Sequence, residues 1–259
     1  MNLGIKGKRA LVTGASSGLG KAAALALAAE GVIVTINSRT KETLEKTAAI
    51  IEKETGNRPN LAVGDISKSD NIKEIIKSTG DVDILVSNTG GPPPGDFAGF
   101  SVQDWANADN LILNSAINLT RAVIESMKTK GWGRLIYITS VAVLQPIDDL
   151  ILSNTYRAGL TGFCKTISNK YAKFGITANT VCPGYTGTER LWHLAESRAS
   201  QSGKTKEEIM QDFGSVTPVG RVGKPEELAS LITYLASIQA AYITGTSIPV
   251  DGGLYKSLI

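Results

Sequence analysis

Residues 13–20, TGASSGLG, follow a short apolar run of Ala10, Leu11 and Val12 and lead straight into an alanine- and leucine-rich segment at 22–29. An apolar strand, a glycine turn and a helix, in that order, form the setting in which a glycine motif binds a dinucleotide. Gly14 is expected to permit the tight turn, Gly18 to let backbone N–H groups approach a pyrophosphate, and Gly20 to let the helix pack close to the sheet. Ser16, Ser17 and Leu19 fill the turn, and the unpaired N–H groups of the helix start offer a partial positive charge to an anion. The spacing is G-x-x-x-G-x-G rather than the commoner G-x-G-x-x-G. An ordinary glycine turn would read the same, so the rest of the chain has to decide.

Downstream, strand-length apolar runs at 9–12, 32–37, 60–63, 84–86, 135–139, 177–182 and 247–250 alternate with segments of helical period. That alternation predicts βαβ units and an α/β fold: one Rossmann-type, doubly wound parallel sheet with helices on both faces. Several runs are apolar almost throughout, as strands covered on both sides must be. Leu44, Thr47, Ala48 and Ile51 repeat at the i, i+3, i+4, i+7 spacing of a one-sided helix, as do Leu228, Leu231, Ile232 and Leu235 behind Pro225. Ile72, Ile75 and Ile76 repeat it weakly. At 259 residues with no linker or repeat, the chain is expected to form a single domain, 1–259.

Composition narrows the function classes. A formal charge of +3 with scattered basic residues gives no nucleic-acid footprint. Cys164 and Cys182 make neither a disulfide framework nor a ligand cluster, and the single histidine, His193, has no partner nearby, so no metal site is expected. No run is long enough to span a membrane and the N-terminus lacks the apolar core of a signal peptide, so a soluble cytoplasmic protein is expected.

The glycine spacing, together with the segments downstream of it, resembles the short-chain dehydrogenase/reductase family along essentially the whole chain, with the 3-oxoacyl-carrier-protein reductase and sugar or alcohol dehydrogenase branches as its nearest likeness. The resemblance implies an NAD(P)-dependent oxidoreductase acting on a small carbonyl or alcohol substrate, as a homo-oligomer, tetramer or dimer. After the second strand, the position where NAD-preferring proteins carry a carboxylate is Ser38, followed by Arg39. An arginine can fork onto a 2′-phosphate, which favours NADP over NAD, although a solvated charge heading the next helix reads alike. The resemblance places Asp65 and the amide of Ile66 at the adenine. It sets Asn88 and Gly90 of the SNTGG turn against the ribose, with the stiff loop 91–95, GPPPG, over the site mouth.

Family members pair an asparagine and a serine with a Y-x-x-x-K helix. The tyrosine exchanges a proton with the substrate oxygen, the lysine lowers the tyrosine pKa and holds the ribose, and the serine orients the substrate. Ser140, closing the run LIYITS, matches that serine. Tyr156 is followed four residues later by Leu160, not lysine. Aligning the helix through Lys165 instead sets Ser153 at the tyrosine position, thirteen residues after Ser140 as the family has it, and Arg157 at the lysine position. Ile112 takes the asparagine's place, flanked by Asn110 and Asn114. Serine is a far weaker acid than a phenol of pKa near 10, and arginine keeps its proton while still able to hold ribose hydroxyls or an oxyanion. Tyr156 is then either a displaced acid next to Arg157 or a packing residue. Tyr185, or a water held by Ser140 and Ser153, is the other candidate proton source.

The segment 179–184, NTVCPG, with Thr186 and Thr188 resembles the family's nicotinamide-binding strand and loop, which brings Pro183 and Gly184 among the cofactor contacts. Residues 189–214 correspond to a substrate lid in which His193 either touches substrate or is solvated. PVGRVGKP at 218–225 and YITGTSIPVDGG at 242–253 match the family's C-terminal segment. Two functions are implied: an NADP-dependent oxidoreductase with an altered proton-transfer site, or a catalytically silent NADP-binding sensor of the same fold.

Overall fold

Alternate residues of the first strand decide the layering. In β1 (Arg9–Val12), Ala10 and Val12 join one buried cluster and Leu11 the other, so both faces of the strand are covered. The computed structural model describes residues 1–258. β1 is flanked by β2 (Ile33–Ser38) and β4 (Ile84–Ser87) in a seven-stranded sheet of order β3-β2-β1-β4-β5-β6-β7. β3 is Asn60–Val63, β5 Gly133–Ile138, β6 Ile176–Pro183 and β7 Ser247–Val250. Every pairing is parallel, with registers such as Val12 opposite Ile36 and Val86. The doubly wound parallel sheet expected from the sequence is therefore present. Its order reverses between β1 and β4, which opens a crevice beyond their carboxyl ends.

One face is covered by α1 (Gly18–Ala29), α2 (Lys41–Thr55) and α9 (Pro225–Leu235). The other carries α3 (Ser69–Thr79), α5 (Ser115–Lys130) and α6 (Ile151–Tyr171). The periodic stripes are the buried ones: Leu44, Thr47, Ala48 and Ile51 are the buried residues of α2, while Leu228, Ile232 and Leu235 are buried in α9 with Leu231 half-buried beside them. Each such aliphatic side chain contributes about 1.5–3 kcal/mol on leaving water.

Strand limits differ slightly from the sequence reading. β2 ends at Ser38 rather than Asn37, because Ser38 pairs with Val63. β5 begins at Gly133 and β6 runs on to Pro183, since both are paired on each side for most of their length and Pro183 still faces Val250. A proline is tolerated there as the strand's last residue, where no ladder donor is needed after it. Between α4 (Val102–Asp109) and α5 the helix widens into a π-type turn, Asn110–Asn114. Segment 189–214 folds as two helices, α7 (Glu189–Ser202) and α8 (Lys206–Ser215), around a small core of Leu191, Leu194, Ala195, Ile209 and Phe213.

Candidate active site

Gly14 and Gly18 both take left-handed backbone conformations, φ +58° and +55°, that bend the chain back under the start of α1. A Cβ on Gly20 would lie 2.3 Å from the Gly14 carbonyl oxygen and 2.9 Å from Asn88 Nδ2, so only glycine lets the helix seat against the turn. Asn88 braces the turn from β4: its Nδ2 donates to Gly14 O at 3.2 Å, while its N–H donates to Thr13 Oγ1 and Thr13 Oγ1 donates back to Asn88 O. Ser17, the N-cap of α1, makes no side-chain cap, and the first turn holds no acidic residue. The leading N–H groups of α1 therefore remain for an anion, which is the condition a pyrophosphate needs.

The crevice beyond the turn has a volume of about 830 Å³. It brings together Gly14, Ser16, Ser17, Gly18, Leu19, Ser38, Arg39, Asp65, Ile66, Asn88, Gly90, Ser140, Ser153, Arg157, Pro183, Gly184, Thr186 and Thr188. Of the residues singled out from the sequence, Gly20 and Tyr156 do not line it. Gly20 lies behind the turn as a packing contact. Tyr156 is one turn on from Ser153 and rotated away: its ring packs edge-on against Trp105 at 6.0 Å, and burial with Asp109 nearby pushes its phenol pKa up, not down. This geometry favours the packing alternative for Tyr156 over the displaced acid. His193 is exposed beside Glu196 on α7, also outside the crevice.

At the end of the crevice past β2 and β3, Arg39 is exposed and makes no ion pair among the described residues, while the Ser38 hydroxyl lies against Thr40 O and Thr43 Oγ1. Asp65 Oδ1 accepts from the N–H and hydroxyl of Ser67, and the residue lines the crevice. Asn37 Nδ2 ties β2 to β3 through Ala62 O and Gly64 O. Lys68 also lines this end, a residue no spacing in the sequence points to.

The other end is built on the carboxyl ends of β5 and β6 and one face of α6. Ser140 caps a short 3-10 turn by accepting the Ala142 N–H at 3.1 Å, which leaves its own proton available. Ser153 and Arg157, one helical turn apart, are each 7% exposed. Arg157 Nε donates to Ser153 Oγ at 3.1 Å, and Nη1 donates to the carbonyls of Ile138 and Thr139 at 2.9 and 3.1 Å. No side-chain polar atom among the described residues is buried without a partner, so Nη2, which bonds no protein atom, opens on the crevice. Burial first, and Arg190 second, push the Arg157 pKa down to about 10, which still leaves it charged at neutral pH. Cys182, beneath it, is a neutral thiol whose pKa burial pushes up.

Ile112 is sealed in the core at 1% exposure. Asn107 of α4 and Asn110 and Leu111 of the π-type turn line the crevice, and Asn114 Nδ2 donates to Asp109 Oδ2 and Asn110 Oδ1. Tyr185 lines the crevice with its ring stacked on Phe213 at 4.3 Å. In the GPPPG loop Gly91 lines the crevice, Gly95 N–H donates to Asp149 O, and Pro92 O accepts from Arg190 Nη2 at 2.6 Å. No group of three or more potential metal ligands occurs among the described residues, and none of their helices is long and apolar enough to cross a membrane.

Residues 14–255 match the family model described as enoyl-(acyl carrier protein) reductase. The chain is 34% identical over 250 residues to the 3-oxoacyl-acyl-carrier-protein reductase of Synechocystis sp., covering 95% of this chain and 96% of that protein. Its structure is similar to L-sorbose reductase of Gluconobacter frateurii, solved with NADPH and L-sorbose, at a TM-score of 0.94 and 29% identity with full coverage of both chains. It also resembles an NADPH-dependent reductase involved in bacilysin biosynthesis, at a TM-score of 0.91 and 30% identity, over 98% of this chain and all of that one.

Proposed function

The chain belongs to the short-chain dehydrogenase/reductase family of oxidoreductases, and from that premise we propose that it moves a hydride between NADP(H) and the carbonyl or alcohol carbon of a small substrate, with Ser153 and Arg157 replacing the family's tyrosine and lysine. The observation that carries this is the Arg157–Ser153 bond on the crevice floor next to Ser140. A side-chain pair merely eroded from an ancestral site has no reason to keep a buried guanidinium charged and aimed at the ligand space.

The turn from Gly14 to Leu19 fits the pyrophosphate, unpaired Arg39 a 2′-phosphate, and Asp65 with the Ile66 amide the adenine. Asn88, Gly90, Pro183, Gly184, Thr186 and Thr188 line the half nearer β5 and β6, where the nicotinamide riboside belongs. Bound NADPH supplies the hydride. The protein's own contribution is to the oxygen: Ser140 and Ser153 each hold a hydroxyl proton toward the oxyanion that forms, and the Arg157 charge behind Ser153 strengthens that donor. Arg157 keeps its proton at neutral pH, so the proton reaching oxygen comes from a water that the two serines hold. Leu191 and Leu194 of the two-helix segment 189–214 line the crevice, in keeping with a substrate lid over a single domain, 1–259. The same reading carries a cytoplasmic dimer or tetramer, supported by apolar side chains left at the surface such as Val102 and Tyr242.

The test is to titrate NADPH by fluorescence and follow its consumption at 340 nm with ketones, aldehydes and acyl thioesters. Turnover that falls about 10²–10³-fold in Ser153→Ala, the usual loss for one oxyanion donor, supports the assignment. Tight binding without turnover across the panel replaces it with the sensor reading.

A further inference from the structure

Arg157 is a buried cation without a counter-ion. Among the described residues no carboxylate lies within ion-pair distance of it, and its outer nitrogen faces ligand space. Leaving a charge under protein without an anion costs several kcal/mol, so an anion that reached the open nitrogen would bind favourably.

A second unpaired guanidinium stands close by. Arg190, in the first turn of α7, spends Nη2 on Pro92 O and rests so near Gly91 that a Cβ there would meet its Nε and Nη2 at 2.8 Å. It too makes no ion pair among the described residues, and it lines the same crevice. The two cations repel, which is part of why the Arg157 pKa falls. Glu189, exposed on the same helix, is the acidic group lining this end and pairs with neither; Asp251 stands nearer Cys182. Asp65, Arg39 and Lys68 sit past β2 and β3, at the opposite side of the sheet from Arg157 and Arg190 past β5 and β6. The positive charge of the catalytic end is thus separate from that facing the adenosine.

Resting on the hydride transfer proposed for this site, we infer that Arg157 and Arg190 form a subsite for a carboxylate carried by the substrate, so that the carbonyl compound reduced is an oxo acid. A planar carboxylate offers each guanidinium one oxygen for a charge-assisted hydrogen bond, and the carbonyl beside it then lies next to the Ser140 and Ser153 hydroxyls. In the reaction the carbonyl carbon gains the hydride and its oxygen one solvent proton, with NADPH oxidised to NADP⁺ and the carboxylate unchanged. The competing occupant of the same charge is the cofactor pyrophosphate.

The experiment compares pyruvate, 2-oxobutyrate and acetoacetate with their methyl esters in the full-length protein. Calorimetric binding is measured with and without NADPH, and kcat/KM is measured at 340 nm. The acids should bind and turn over at least tenfold better than the esters. Arg190→Gln should erase that preference while the NADPH Kd stays within twofold, and Arg190→Lys should restore part of it. Esters equal to acids, or no acid binding in either state, overturn the subsite. So does an Arg190→Gln protein that keeps the acid preference but binds NADPH tenfold more weakly, the result for a pyrophosphate contact. Failure of the NADP reading shows separately, as wild-type protein that does not bind NADPH at all.

Discussion

Removing the Arg39 side chain should convert the protein's cofactor preference without touching its fold. Arg39 follows β2, lines the crevice, is exposed, and is held by no acidic neighbour. Ser38, where a carboxylate would bind a ribose 2′-hydroxyl and repel a 2′-phosphate, has its hydroxyl turned to Thr40 and Thr43. A hydrogen bond between charged groups is worth about 1.5–3 kcal/mol, and solvent exposure puts this one toward the lower figure. At 1.4 kcal/mol per tenfold, Arg39→Ala should weaken NADPH binding roughly 10- to 30-fold and leave NADH, which has no 2′-phosphate, within about twofold. Because no ion pair is broken, the melting temperature should stay within a degree or two. Fluorescence titration of both cofactors into both proteins, at about 0.1 M and 1 M salt, forms a double-mutant cycle between Arg39 and the phosphate. The NADPH advantage should shrink in wild type at high salt, where screening shortens to about 3 Å, and be small in the variant at either salt. Equal losses for the two cofactors, or none for NADPH, would refute the assignment of Arg39 to the 2′-phosphate.

Gly20→Ala should cost about 1–3 kcal/mol through overpacking, since its Cβ collides with the Gly14 carbonyl and neither backbone can yield cheaply; a lowered melting temperature together with weakened NADPH binding is the expected pair of readings. Tyr156→Phe should leave turnover within about twofold, because the hydroxyl is outside the crevice; a loss of a hundredfold would return Tyr156 to the chemistry. Turnover should be insensitive to Arg157 ionisation up to about pH 9 and decline as the pH passes about 10, where the guanidinium loses its charge. The stability effect of that group has the opposite sense: its folded pKa lies below the unfolded one, so its destabilising contribution is full below about 10 and is relieved as the pH climbs above it, which urea titrations across that window can read.

The sheet was legible because its strands are apolar on both faces, and α2 because Leu44, Thr47, Ala48 and Ile51 share one side at helical spacing. Those signals are local. The crevice is not: Arg190 reaches Pro92 across nearly a hundred residues, and within the polar run after Thr188 an arginine looks like any solvated charge. Tyr156 lies outside the crevice for a rotational reason. Three residues along a helix turn it by about 300°, enough to leave the face shared by Ser153 and Arg157 and meet Trp105 instead. Asn110 was visible only as a neighbour of Ile112. The widened turn that brings it to the crevice depends on how α4 and α5 join, which no spacing in the sequence encodes.

Isotope transfer tests the central claim most directly. The protein is incubated with NADPH carrying deuterium at both C4 positions and with pyruvate, 2-oxobutyrate or acetoacetate, and the products are weighed by mass spectrometry. A hydroxy acid one mass unit heavier at its carbinol carbon, formed about 10²–10³-fold more slowly by Ser153→Ala, is the predicted result. NADPH bound stoichiometrically with no deuterium passed to any carbonyl compound would contradict it and leave a nucleotide-binding protein without the redox step.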